Sequence, residues 1–133
     1  MKYLLDTNVW IDYLTARHPS VVTRIRDSPA DDLGLSSVVL AELRYGAEKS
    51  KRRKANHGLL DSLVQEVNAV QFDERAAAAY GAVRTSLESR GKPLGAYDMM
   101  IAAQALSLDL ILVTDNEREF KAVKSLVVEN WRR

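Results

Sequence analysis

The sequence contains no cysteine among its 133 residues. Disulfide bonds, zinc–thiolate centres and thiol catalysis are therefore excluded, and a reducing compartment is permitted. Histidine occurs only at His18 and His57. Neither lies in a recognisable motif, so we expect both to be solvated surface residues and a zinc site to be absent. Without a Ser-His-Asp or Cys-His pairing, covalent acyl chemistry has no candidate nucleophile.

Long apolar runs and a strong charge of one sign are also missing. No run approaches the ~20 residues that a membrane span needs. The chain reaches Asp6 too early for a secretory signal, so a soluble cytoplasmic protein is expected. The 19 basic and 18 acidic residues give a net charge of +1, which neither indicates nor excludes a nucleic-acid partner. The length fits one domain over residues 1–133.

Short apolar runs alternate with longer helical patterns along the chain. The apolar runs predict strands at 2–5, 33–36, 67–72, 110–114 and 126–129. Asn8 is predicted to cap a first helix that runs to about Thr15. Further helices are predicted after Pro19, from Ser36 or Ser37 onward, and at 58–66, 74–90 and 97–108. This alternation predicts an α/β fold with a short, twisted parallel sheet of four to five strands flanked by helices on both faces.

Two aspartates follow predicted strands. Asp6 ends the first strand, and Asp115 ends the fourth. In open α/β sheets, ligands bind beyond the carboxyl ends of the strands. An aspartate in this place is often only a helix cap or a turn residue. Two of them in one sheet favour a shared ligand site over two unrelated caps.

Two further acids lie on apolar helices. Asp98 shares a helix face with Ala102 and Ala105, and its helix has almost no polar side. A buried, ionised carboxylate is costly unless it is paired or binds a metal. Glu42 lies in similar apolar surroundings after the second strand. The alternatives are a favourable interaction with the helix dipole for both acids and a partly exposed surface position for Glu42.

The four acids, taken together, predict a divalent cation site. Each follows a strand or lies in the opening turns of a helix, and in a parallel sheet these places face one end. Four uncompensated carboxylates would repel one another. Mg²⁺ prefers such hard oxygen ligands, and Mn²⁺ accepts them too. This ligand set suits hydrolysis of a phosphodiester by a metal-activated water, with one ion or two.

Four phrases carry a resemblance that spans nearly the whole chain. They are Leu5-Asp6-Thr7-Asn8; Ser36-Ser37-Val38 with Glu42-Leu43-Arg44-Tyr45-Gly46; Gly95-Ala96-Tyr97-Asp98-Met99-Met100-Ile101-Ala102; and Val113-Thr114-Asp115-Asn116 with Arg118-Glu119-Phe120. On these phrases the chain resembles a PIN-domain ribonuclease, specifically a VapC-type toxin of a toxin–antitoxin pair. The resemblance implies a single PIN domain over residues 1–133.

The resemblance also implies which residues form the site. The acids matching the family's catalytic metal site are Asp6, Glu42, Asp98 and Asp115. The supporting polar residues would be Thr7, Asn8, Thr114 and Asn116. The ending of the chain, Arg118-Glu119-Phe120 through Glu129-Asn130-Trp131, resembles the subgroup that cleaves initiator tRNA in the anticodon loop. In that subgroup the position matching Asp115 can carry Asn. Asp115 would then be the least essential acid, held as a direct ligand or through water.

The function implied by the resemblance is a Mg²⁺- or Mn²⁺-dependent endoribonuclease that inhibits translation. Its substrate would be RNA, with tRNA as the specific candidate. Its partners would be a second copy, forming a homodimer, and a small VapB-like antitoxin whose tail covers the site in a hetero-oligomer. The alternative is a catalytically silent PIN-fold module that binds RNA or protein.

Two rival enzyme classes fit less well. A haloacid dehalogenase-type phosphatase needs a second aspartate two residues after the first, where this chain has Asn8. A phospho-receiver domain needs an acidic pair before its phosphoacceptor and a late lysine after a strand, and neither is present.

Candidate contacts to RNA and partners lie elsewhere in the chain. Trp10 and Tyr13 are either core residues or part of a groove for an antitoxin helix. The densest basic run would supply phosphate contacts, unless it is simply a solvated loop between helices. Its candidate RNA-contacting residues are Lys49, Lys51, Arg52, Arg53 and Lys54.

Overall fold

The computed structural model describes residues 1–133 and contains one five-stranded sheet. All of its strand pairings are parallel. In the sheet the strands lie in the order β3-β2-β1-β4-β5. The strands are β1 (Tyr3–Leu5), β2 (Leu33–Ser36), β3 (Asn68–Val70), β4 (Ile111–Val113) and β5 (Val128–Glu129). The predicted α/β class and parallel sheet are confirmed.

Seven α-helices connect these strands. They are α1 (Thr7–Leu14), α2 (Pro19–Asp27), α3 (Ser37–Glu48), α4 (Arg53–Glu66), α5 (Glu74–Ser89), α6 (Ala96–Ser107) and the short α7 (Glu117–Phe120). A single 3-10 turn, Ala30–Asp32, precedes β2. No helix is both long and apolar enough to cross a membrane.

Strand β1 lies in the middle of the sheet. The chain first adds β2 and β3 on one side of β1, and later returns to add β4 and β5 on the other. The register pairs Leu5 of β1 with Val113 of β4. Neighbouring strands whose connections leave in opposite directions form a topological switch point, where open α/β sheets bind ligands. Asp6 and Thr114, the next residues of the two strands, therefore emerge side by side.

Apolar side chains from the sheet and the helices form one core. Leu4, Leu112 and Ile101 are fully buried in it, as are both tryptophans. Trp10 is therefore a core residue. Tyr13 is half-buried and packs edge-on against Trp10, with ring centroids 6.1 Å apart. The choice between core and groove is thus decided for Trp10, and Tyr13 lies at the margin of the core.

Several predicted boundaries were wrong, and each error has a local cause. Helix α4 begins at Arg53 rather than at residue 58, because lysine, arginine and alanine favour helix and no proline interrupts the basic run. Helix α1 begins at Thr7, with Asp6 rather than Asn8 as its N-cap. The third and fifth strands are shorter than predicted, and α7 was not predicted.

We predicted that both histidines are solvated surface residues, but in the structure each is partly buried and lies close to other side chains. His57 lies within hydrogen-bonding distance of Arg44 and Glu48, at 3.0 and 2.9 Å. His18 lies 3.9 Å from a carboxylate oxygen of Asp12. Both side chains are half-buried. The sequence offered no signal for these pairings, because each partner comes from a separate turn or helix.

Candidate metal site

An open cavity of about 380 Å³ lies beyond the carboxyl ends of β1 and β4. All four acids predicted from the sequence line it, and no apolar residue does. The lining residues are Asp6, Thr7, Asn8, Glu42, Asp98, Asp115 and Asn116. Of the predicted supporting residues, Thr114 alone is not in the lining. It is fully buried directly behind the cavity.

Asp6 is held through both carboxylate oxygens. The backbone N–H of Thr7 donates to its Oδ1 at 2.8 Å, which caps α1. The hydroxyl of Thr114 donates to its Oδ2 at 2.8 Å. The carboxylate is almost completely buried. Burial raises the pKa of Asp6, the two hydrogen bonds oppose this rise, and the nearby charge of Asp115 adds to it.

Glu42 is held by the side chain of Thr7. Thr7 Oγ1 donates to Glu42 Oε1 at 3.0 Å and so joins the start of α1 to the middle of α3. Thr7 therefore orients two acids, one through its backbone and one through its side chain. This contact gives a physical role to a residue predicted only as supporting.

A buried polar bridge fixes the helices that carry Glu42 and Asp98. Ser36 caps α3 by accepting from two backbone N–H groups, and its hydroxyl donates to Gln104 of α6. The amide of Gln104 donates in turn to the carbonyl of Val70 at 3.1 Å. Gln104 is fully buried. Its polarity on an otherwise apolar helix was the available signal, but its role was missed.

Asp98 is the acid whose ionisation is most strongly perturbed. Its pKa is raised to about 6, first by burial and then by the negative charges of Asp6, Glu42 and Glu119. Glu119 was not among the predicted site residues. It lies on α7, where the side-chain amide of Asn116 donates to it at 3.0 Å. Its position four residues after Asp115 was the signal that could have identified it.

Asp115 interacts with a basic residue that was also missed. Arg132 donates to Asp115 Oδ2 at 3.0 Å, while Asp115 Oδ1 is buried without any hydrogen-bond partner. The same guanidinium also binds Asp12 of α1, a buried carboxylate. Asp12 is a lone acid among apolar residues, the same signal that singled out Asp98.

The donor set fits a hard divalent cation in its chemistry. It offers only oxygen ligands, an unpartnered buried carboxylate oxygen and several mutually repelling charges. No three of these side chains converge as a compact, ready-made coordination cluster.

A more apolar groove of about 820 Å³ adjoins the acidic cavity and shares Thr7 and Glu42 with it. Tyr45 and Tyr97 line this groove and are both largely exposed. Lys49 also lines it, with its ammonium 4.6 Å from the centre of the Tyr45 ring.

The rest of the basic run lies away from both cavities. Arg53 forms an ion pair with Glu48 of α3. Lys51, Arg52 and Lys54 are exposed and line neither the groove nor the acidic cavity. Of the five candidate RNA contacts, Lys49 is therefore the one that the fold brings beside the acids.

These features define a class of protein. The sequence model of the PIN-domain family matches residues 3–126 of the chain. The chain belongs to the PIN-domain family.

Within this family, the similar curated proteins are VapC ribonucleases. The chain is 37% identical to "Ribonuclease VapC2" of Rickettsia felis in an alignment of length 133 that covers 98% of each protein. It is 38% identical to "tRNA(fMet)-specific endonuclease VapC" of Shigella flexneri over 131 residues, again 98% of each.

Solved structures of the same group share the fold. The DNA-bound VapBC structure from Salmonella typhimurium contains a chain with a TM-score of 0.92 and 34% identity, and the match covers 98% of both chains. The VapBC2 structure from Rickettsia felis, bound to a promoter DNA fragment, gives a TM-score of 0.88 and 33% identity, with 98% and 99% covered.

Proposed function

We propose that this protein is a metal-dependent endoribonuclease and the toxin of a toxin–antitoxin pair. The observation that carries the proposal is the cavity at the sheet's switch point, which is lined by Asp6, Glu42, Asp98 and Asp115 without a single apolar residue. The ribonuclease names of relatives at 37% and 38% identity over nearly the whole chain support it.

The four acids would hold Mg²⁺ or Mn²⁺. When bound, the ion supplies the Lewis acidity that makes water nucleophilic and offsets charge on a phosphate. Asp6 provides an oriented ligand, because Thr7 and Thr114 fix its two oxygens. Asp98 gains most from a cation, because its carboxylate is destabilised by neighbouring negative charge.

The substrate that we propose is RNA, and initiator tRNA in particular. The name of the Shigella relative, which is specific for tRNA(fMet), supports this choice. Lys49 and Tyr45, beside the acidic cavity, offer a phosphate contact and an aromatic face. Cleavage of initiator tRNA would inhibit translation in the cytoplasm.

We further propose a homodimer that is neutralised by a VapB-like antitoxin. The similar structures are VapBC assemblies, which supports an antitoxin partner of the same kind. The apolar groove beside the acids has room for a segment of such a partner. A bound segment there would lie against Glu42 and so obstruct the site.

The test is RNA cleavage under controlled metal conditions. The purified protein is incubated with total RNA and with initiator tRNA, in the presence of Mg²⁺, Mn²⁺ or EDTA. We expect discrete cleavage with either metal and none with EDTA. Cleavage that persists in EDTA would contradict the metal role. RNA or protein binding without cleavage under any metal would favour the alternative, a catalytically silent PIN-fold binding module.

A further inference from the structure

Arg132 joins the acidic cavity to Asp12, a carboxylate that the proposed mechanism does not use. Asp12 lies on α1 and is 1% exposed. Arg132 Nε and Nη2 donate to its two oxygens at 2.7 and 3.1 Å. This paired geometry uses the planar fork of the guanidinium and orients it firmly.

The third donor of the same guanidinium reaches the cavity wall. Arg132 Nη1 donates to Asp115 Oδ2 at 3.0 Å. Asp115 Oδ1 is left buried and without a partner. A buried carboxylate oxygen without a partner is costly unless a donor or a cation reaches it. Arg132 thus holds one oxygen of Asp115 and leaves the other for a ligand.

The backbone around Arg132 is anchored as well. The N–H of Arg132 donates to Asn130 Oδ1 at 3.0 Å. The adjacent Trp131 is buried, with its ring 4.9 Å from that of Tyr3 in an edge-on arrangement. The position of the guanidinium is therefore fixed both by the anchored backbone after β5 and by Asp12 of α1.

We propose that Arg132 is a positioning residue for Asp115 in the metal site, with Asp12 as its buried anchor. The inference rests on the proposed function, because it requires a divalent cation in the cavity. A partner that orients a metal-binding carboxylate strengthens metal binding. If Arg132 instead acted only through its positive charge, it would repel the cation and weaken metal binding. Removing Arg132 therefore changes cation affinity in opposite directions under the two roles.

The experiment measures Mn²⁺ binding to the full chain without RNA, from the paramagnetic resonance signal of the free ion. We expect Arg132→Ala to raise the Kd for Mn²⁺ about tenfold, the lower end of the effect of losing such a partner. Arg132→Lys keeps the charge but lacks the planar fork whose separate nitrogens contact Asp12 and Asp115, so we expect a similar loss. Arg133→Ala is the matched control, since Arg133 pairs with Glu117 outside the cavity, and we expect unchanged binding.

A double variant tests whether weaker Mn²⁺ binding results only from misfolding. Arg132→Ala alone removes the two hydrogen bonds that Arg132 donates to the buried Asp12 carboxylate, which destabilises a fold. The double variant Asp12→Leu/Arg132→Met removes both partners of this ion pair together. We expect it to fold, as judged by circular dichroism, and to bind Mn²⁺ as weakly as Arg132→Ala.

The results separate this inference from the proposed function. If the unsubstituted protein binds Mn²⁺ and any of the three Arg132 variants binds it equally well or more tightly, the positioning role is overturned alone. If the unsubstituted protein does not bind Mn²⁺, the metal site and the positioning role fail together. As a kinetic check, we expect the variants to need about tenfold more Mn²⁺ for half-maximal RNA cleavage, with little change in the KM for RNA.

Discussion

The hydroxyl of Thr114 donates a hydrogen bond to Asp6 Oδ2 at 2.8 Å, across the point where β1 and β4 end. The two residues are 108 positions apart in the sequence. This bond joins the two halves of the sheet at the cavity and orients the most deeply buried of the four acids.

Thr114→Val keeps the shape of the buried side chain but removes this donor. The Oδ2 of Asp6 would then be left unsatisfied, so we expect a loss of about 1–3 kcal/mol in the free energy of unfolding. We also expect weaker Mn²⁺ binding, because Asp6 loses its orientation. Urea denaturation and metal titration measure the two effects. Thr15→Val is the control, since its hydroxyl bonds only to a helix carbonyl at the surface. Equal behaviour of both variants would refute the role of Thr114.

Asp98→Asn should abolish RNA cleavage and relieve growth inhibition, while the fold remains intact. Since the carboxylate is repelled by its neighbours, its removal should also stabilise the metal-free protein at pH 7. We expect a gain on the order of 1 kcal/mol once solvent screening is included. Gel assays of RNA cleavage and urea denaturation test both outcomes. Asp27→Asn, at an exposed position on α2, is the control. Cleavage retained by Asp98→Asn at saturating Mg²⁺ would eliminate the proposed role.

The raised pKa of Asp98 predicts opposite effects of pH on stability and on metal binding. In the folded chain this pKa is about 6, against an ordinary value of 3.8. Asp98 therefore binds a proton more strongly in the folded state, and the stability that it contributes falls as pH rises from about 4 to 6. Cation binding needs the ionised carboxylate, so the affinity for Mn²⁺ should rise through pH 6. Titrations between pH 5 and 7.5 measure this. The rise should be smaller in Asp98→Asn, and an equally steep rise in that variant would contradict the assignment.

Gln104→Leu should break the buried polar bridge that joins α3, α6 and β3. The variant leaves the hydroxyl of Ser36 and the carbonyl of Val70 without their partner in a buried place. We expect a destabilisation of about 2–3 kcal/mol, measured by urea denaturation. Gln65→Leu on the exposed side of α4 is the matched control and should change stability little. A neutral Gln104→Leu variant would show that the bridge is dispensable.

Local signals predicted much of the fold. The continuous apolar run at 110–114 contained β4, and the alanine-rich pattern after Asp73 predicted α5 nearly to its observed end. The start of α4 was harder to predict, since helix propensity changes gradually across a basic run that has no cap. The N-cap of α1 was misassigned because both Asp6 and Asn8 have the side chain for it.

The sequence by itself determined the α/β alternation and the identity of the four acids. These properties depend on near neighbours: a carboxylate directly after a strand, or alone on an apolar helix face. Whether those acids ligate a metal stays a prediction. Only the tertiary structure decided which residues hold them, because Thr114 meets Asp6, Gln104 meets Ser36 and Arg132 meets Asp12 across 68 to 120 positions of chain. Such pairings follow from strand order and helix packing, which no local pattern encodes.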